Sequence, residues 1–281
     1  MIVVADSGST KCDWAIIQGN QTTTRLKTIG FNPTFHSTEF IYEHLKSTFD
    51  TNILDSTTEI YFFGAGCSND NEKKIVIEGL KKIFKIAKIE VKHDLEGSAI
   101  ATCGNEIGIS CILGTGSNAC LWNGKSIEKN TFVFGNGYIL GDEGSGTHLG
   151  KILLKYYFYD LLPQDIRLEF ELKFGNRESI IQNVYQKSAP NVFLASLSYF
   201  INEHKEDPIM EELINKVFQE FIDCTIKRFE HYQSINVSFV GSISTVFEKE
   251  LRNICIKNQI KVGKIIKQPI DELVKYYSNK S

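Results

Sequence analysis

Asp94-Leu-Glu-Gly-Ser-Ala-Ile-Ala101, followed after a short polar turn by Ile109-Ser-Cys-Ile-Leu-Gly-Thr-Gly-Ser-Asn118, is the stretch on which the fold turns. It sets a carboxylate at the start of a predicted helix, directly after the β-branched run at residues 89–91. An apolar strand then runs into a Gly-Thr-Gly-Ser turn. Backbone N–H groups in such a turn can face phosphate oxygens, and a positioned carboxylate can take a proton from a hydroxyl. Phosphoryl transfer from a nucleotide to an alcohol needs both, because catalysis there is positioning plus stabilisation of charge.

The N-terminus echoes this stretch. Asp6-Ser-Gly-Ser-Thr-Lys-Cys-Asp-Trp14 aligns with Gly114-Thr-Gly-Ser-Asn-Ala-Cys-Leu-Trp122, so that Gly8 falls on Gly116, Ser9 on Ser117, Cys12 on Cys120 and Trp14 on Trp122. Each copy follows a strand-like apolar run. Two halves built alike, each offering a glycine turn, imply a cleft with a nucleotide between them. The competing explanation is chance, since any two strand-turn-strand hairpins look somewhat alike.

At 281 residues the chain exceeds one average domain, and two domains are expected. A formal charge of -3 gives no electrostatic case for a nucleic-acid partner. Basic residues do cluster at 73–88, but at helical spacing beside Ile75, Ile77, Leu80, Ile83 and Phe84, as on the wet face of an amphipathic helix. The seven cysteines form no C-x-x-C pair and sit mostly in apolar runs. They read as buried free thiols in a reducing cytoplasm rather than as a disulfide framework or a zinc site. No stretch reads as a signal peptide or reaches the length of a membrane span.

In the first half, strands are expected at residues 2–6, 12–18 and 22–29. A helix capped by Ser37 then runs to about residue 49, followed by a strand at 60–63, an amphipathic helix at 71–84 and a strand at 89–91. This is a five-stranded βββαβα layer. The second half restarts with strands at 108–113, 119–122 and 126–134, a glycine-rich loop at 135–146 and a helix from about 147. A helical region broken at Pro163, Gly175, Pro190 and Pro208 follows, with its longest segment at 209–232. Strands at 237–240 and 260–266 and a helix at 269–277 finish the chain. The expected domains are residues 1–105 and 106–266 with a hinge at 103–108, and the C-terminal helix, 267–281, is a candidate to complete the first.

Among the residues able to do chemistry, Asp6 ends the first strand and can hold Mg²⁺, while Gly8, Ser9 and Thr10 turn back beside it. The same Asp could merely cap its own turn. No Walker A pattern occurs. Asp94 reads as a general base or as a helix N-cap, and both roles can coexist. Glu96 complements the helix dipole. Asp142 lies in Gly141-Asp-Glu-Gly-Ser145, where glycines let backbone approach a ligand and the acid can bond sugar hydroxyls. Gly241-Ser242 would let a nucleoside lie on backbone.

Five stretches in this order carry a family resemblance: Asp6-Ser-Gly-Ser-Thr10, Asp94-Leu-Glu-Gly-Ser-Ala-Ile100, Leu113-Gly-Thr-Gly-Ser-Asn118, Leu140-Gly-Asp-Glu-Gly-Ser145 and Phe239-Val-Gly-Ser242. Together they resemble the sugar-kinase, hsp70 and actin superfamily, and within it the BadF/BadG/BcrA/BcrD ATPase branch that contains N-acetylglucosamine kinase. The resemblance implies an α/β, duplicated ribonuclease-H-like (actin-like ATPase) fold, two βββαβα lobes closing on Mg-ATP. It also implies transfer to the 6-hydroxyl of an N-acetylated amino sugar, N-acetylglucosamine first, by a cytoplasmic homodimer. It makes Asp94 the base and Asp6 the metal ligand. Asn32, Thr115, Gly116 and Asp142 become sugar contacts. Gly8, Ser9, Thr10 and Lys11, then Gly114, Thr115, Gly116, Ser117 and Asn118, and finally Gly241 and Ser242 become the ATP site. Two departures stand out: Phe134-Gly-Asn-Gly137 replaces the usual Gly-Gly-Trp-Gly, which leaves the acetamido pocket unassigned, and the glycine- and alanine-rich C-terminal helix is missing. The alternatives are an activator ATPase driving electron transfer into a partner reductase, which needs clustered cysteines, and a nucleotide sensor without turnover.

Overall fold

The computed structural model describes residues 1–8, 10–19, 21–128 and 135–279. The chain divides into two compact units, one of residues 1–106, 124–127 and 268–281, the other of residues 107–123 and 128–267.

In the first unit five strands form one sheet: β1 (Ile2–Ser7), β2 (Lys11–Gln18), β3 (Gln21–Ile29), β4 (Glu59–Gly64) and β5 (Lys88–His93). Their order is β3-β2-β1-β4-β5. Tight turns join the first three antiparallel, whereas β4 and β5 are reached over helices and therefore run parallel to β1. Alternation along β1 and β2 buries Val3, Ala5, Cys12, Trp14 and Ile16 on one face, with Ile41, Val76 and Leu80 from the helices Thr38–Leu45 and Asp70–Lys81. Asp6 and Asp13, paired in register, share the other face. The helices Asp94–Cys103 and Ile270–Ser278 pack on β1 there. The latter helix buries Ile270, Leu273, Val274 and Tyr277.

The helix from Ser37 stops at Leu45, short of the expected residue 49, and a helix not anticipated from sequence, Thr51–Ser56, starts on the Asp50 side chain, which accepts from Ile53 N–H at 2.9 Å. A capping box between Asn69 and Glu72 opens Asp70–Lys81.

The second unit repeats the sheet with β6 (Ile107–Leu113), β7 (Ser117–Asn123), β8 (Asn236–Val240) and β9 (Lys261–Ile266) in the order β7-β6-β8-β9. β6 pairs antiparallel with β7 and parallel with β8, as β1 does with β2 and β4. The strand expected at 126–134 falls largely on residues 129–134, outside the described residues. Helices between β7 and β8 include Gly146–Phe158, Gln164–Phe174, Arg177–Tyr185, Pro190–Ser196, Ser198–Glu203 and Pro208–Cys224. The longest of these ends at Cys224 rather than near 232. Two helices that sequence reading passed over, Ser242–Val246 and Glu248–Lys257, join β8 to β9.

The duplication is real as topology, but the residue alignment that suggested it is shifted. Gly8 N–H bonds Lys11 C=O and Gly114 N–H bonds Gly116 C=O, so Gly8 corresponds to Gly114 and Lys11 to Gly116. Ser7 opposite Cys12 then matches Leu113 opposite Ser117. Trp14 lies in the core against Phe31, Phe49 and Phe62 and corresponds to Ala119, while Trp122 pairs with Gly108. The shared Cys and Trp letters are therefore coincidence.

Candidate active site

In the first unit the C-terminal ends of β1 and β5 and the start of β2 bring acids together. Asp6 is the penultimate residue of β1, and its carboxyl is raised to about 7, first by burial and then by the negative charges of Asp94 and Asp13, with Lys11 pulling it down. Asp13, which sequence reading did not single out, is buried and lies 3.6 Å from both Lys11 and Lys27, with Gln268 Nε2 at 3.3 Å. Its signal was its place one turn away from Asp6, on the same pleat face.

Asp94 is the first residue of its helix, but it is not the cap. That task falls to His93, whose Nδ1 accepts from Leu95 N–H at 3.1 Å. The same nitrogen sits 2.8 Å from Asp94 Oδ1. One nitrogen cannot accept in one contact and donate in the other: a bare Nδ1 caps the helix, and an Nδ1–H, in the neutral or the charged ring, donates to the carboxylate. Burial lowers the His93 pKa, but the hydrogen bond to Asp94 and the charges of Asp94 and Glu96 carry it above the ordinary value. Gly97 explains the spacing of the Asp94 motif, since a Cβ there would stand 2.8 Å from Phe63 Cγ. Glycine lets the helix lie directly on β4.

Asn32 is half-buried, and its Oδ1 accepts from Thr34 N–H at 2.9 Å. The loop after β4 passes over it so closely that a Cβ on Gly66 would be 2.2 Å from that oxygen. Gly8, Thr10 and Lys11 are exposed at the β1–β2 turn, and Ser9 lies outside the described residues.

In the second unit the turn of residues 114–118 is tied to the start of the helix Gly146–Phe158: Gly146 N–H bonds Gly114 C=O at 2.9 Å and Thr147 N–H bonds Thr115 C=O at 3.1 Å. Asp142, in the left-handed region at φ 61, lays its carboxylate on Gly116 and accepts from Ser117 N–H at 3.1 Å. Burial raises its pKa against the opposing pull of that N–H and of Lys151. Asn118 uses Oδ1 on Ala119 N–H. Gly241, at φ 133, passes so close to β6 that a Cβ would be 2.1 Å from Leu113 C=O. Gly8 and Gly114, in contrast, have no Cβ conflict of their own, the closest atom to a Cβ added at Gly8 being 3.8 Å away. Their bareness leaves room for a ligand.

Gly114, Thr115, Ser242 and Ile243 line one cavity of about 180 Å³, closed by Val192, Ala195, Ser196, Ser198, Tyr199 and Val246. Its apolar walls with a few hydroxyls suit a planar heterocycle. The wall residues between 192 and 199 were missed because nothing in their spacing signals that two short helices converge on a distant glycine turn. Five of the seven cysteines are buried, and among the described residues no group of three His, Cys, Asp or Glu side chains is arranged to hold a metal by itself. No described helix is long and apolar enough to cross a membrane.

No family model matches the chain. An N-acetylmuramic acid/N-acetylglucosamine kinase of Clostridium acetobutylicum is 28% identical over 178 residues, which span 59% of this chain and only 56% of that relative. A crystal structure from Porphyromonas gingivalis, assigned by name as an N-acetylglucosamine kinase, is 34% identical with 99% of both chains covered and a TM-score of 0.92. A glucokinase of the ROK family from Streptomyces griseus, solved with glucose and AMPPNP, shares 12% identity over 98% of this chain and 97% of its own at a TM-score of 0.58, a likeness of fold alone. With two sheets of one strand order and a full-length relative of this identity, the chain belongs to the N-acetylglucosamine kinase-like family of sugar kinases, which have the actin-like ATPase fold.

Proposed function

We propose that this protein is an ATP-dependent kinase that transfers the γ-phosphate to the 6-hydroxyl of an N-acetylated amino sugar, N-acetylglucosamine first. The observation that carries the reading is the release of Asp94 from helix capping by His93, which leaves a half-buried carboxylate beside Asp6. Asp94 takes the proton of the attacking hydroxyl, and Asn32 and Asp142 orient the sugar. The turns at residues 8–11 and 114–118 receive the phosphates through backbone N–H groups. Gly241, Ser242 and the cavity beside them receive the nucleoside.

Mg²⁺ fits Asp6, because a cation there offsets both the burial and, after it, the repulsion from Asp94 and Asp13 that raise this carboxyl toward neutrality. Once bound, it would neutralise charge on the phosphates. A cytoplasmic homodimer belongs to the same reading. The kinase names of the Clostridium and Porphyromonas relatives support the amino-sugar kinase part of this reading. The test is an ADP-release assay with Mg-ATP across a sugar panel. Turnover stimulated by N-acetylglucosamine is expected, and no stimulation by any N-acetylated sugar would end the claim.

A further inference from the structure

His148 lies in the first turn of the helix Gly146–Phe158, nearly buried, and plays no part in the chemistry above. Ser145 caps this helix, accepting from His148 N–H at 3.2 Å. The imidazole folds back over the cap, and its Nδ1 accepts from Gly144 N–H at 3.1 Å. Gly144 needs that acceptor. Its backbone is left-handed and runs hard against the helix Pro208–Cys224, where a Cβ would be 2.7 Å from Phe221 Cβ and 3.2 Å from Leu113 Cδ2. The Gly144 N–H is buried with the rest of this turn and out of reach of water, so leaving it unpaired would be costly.

Gly144 belongs to the turn closed by Ser145 N–H on Asp142 C=O at 3.1 Å. Asp142 opens that turn and reaches Ser117 N–H and the face of Gly116. One chain of contacts therefore runs from His148 through Gly144 to Asp142 and the glycine turn, all within the second unit. We infer that His148 is a positioning residue: through Gly144 it fixes the strained turn that aims the Asp142 carboxylate.

The bond requires an unprotonated Nδ1, with the ring proton on Nε2, which faces Glu220 Oε2 at 3.5 Å. Burial first, and then the charges of Lys151 and Lys216, hold the His148 pKa down to about 4 against the opposing Glu143. The bond therefore persists across the physiological range.

The kinetic part of the test rests on the kinase reading, while the amide part does not. His148→Phe keeps size and removes the acceptor, and His148→Asn offers Oδ1 near the place of Nδ1. Hydrogen exchange by NMR should show the Gly144 and Ser117 amides protected in the wild type, exposed in His148→Phe and at least partly restored in His148→Asn. In sugar-kinase assays His148→Phe should lower kcat/KM for the sugar about 10-fold, and His148→Asn should recover most of it. In an Asp142→Asn background His148→Phe should add little, because both changes act on one contact. Unchanged protection of Ser117 in His148→Phe, or fully additive losses in the double variant, would overturn the inference. A wild type without turnover would sink the kinase reading instead and leave the amide result to decide this one.

Discussion

Two carboxylates at the ends of adjacent elements set the behaviour of the first unit. Asp94→Asn preserves shape but removes the proposed base, so kcat should fall about 100-fold or more with sugar affinity nearly unchanged. Undiminished turnover would rule Asp94 out. Asp6 carries a separate, pH-dependent signature. Its folded-state pKa of about 7 lies above the ordinary 3.8 of the unfolded chain, so the folded protein binds the extra proton. Stability from this group therefore falls as pH rises from about 4 to 7 and stays low above it. Asp6→Asn, neutral throughout, should raise the thermal midpoint of the metal-free protein at pH 8 and change it little near pH 4. Equal shifts at both would refute the coupling. Asp6, Asp94 and Asp142 drew attention in the sequence because a glycine follows each within three residues. Asp13, His93 and His148 did not, because their roles come from a pairing register and from packing that no local pattern encodes.

At the scale of elements, the helix Asp94–Cys103 is where sequence pattern and packing agree. Gly97 is glycine because Phe63 lies beneath it. Gly97→Ala should lift the helix off β4, cost about 1–3 kcal/mol of stability, and reduce kcat by displacing Asp94. Differential scanning calorimetry with parallel kinetics checks this, and a variant with wild-type melting and rate would show that the helix does not need this contact. The strands were readable because Val, Ile and Phe runs end in glycines, and the first helix start because Ser37 caps it, whereas the caps Asn69 and Ser145 emerge only in the structure. Thr51–Ser56 and Ser242–Val246 were not, since helices of so few residues carry too little period to separate from turns. The matching letters at Trp14 and Trp122 show the opposite failure, a pattern that pointed to a true duplication through a false alignment.

Across the whole molecule each unit keeps its own apolar core and its own version of one strand order. The last segment of the sequence nevertheless belongs to the first unit, where Leu273 and Tyr277 are buried and Arg25 pairs with Asp271 at 2.7 Å. Ending the chain after Lys267 should therefore unfold the first unit selectively. Proteolysis should cut within residues 1–106 while fragments of the second unit persist, and uniform resistance would contradict this division. The strand Lys261–Ile266 is likewise the outer strand of the second sheet, so residues 261–278 finish both units at once. During translation, at roughly 5–20 residues per second, neither unit can close until this segment has left the ribosome. Two open apolar surfaces thus travel together through synthesis, and a nascent chain released after Lys267 would carry the first unit's apolar face uncovered together with a closed second unit.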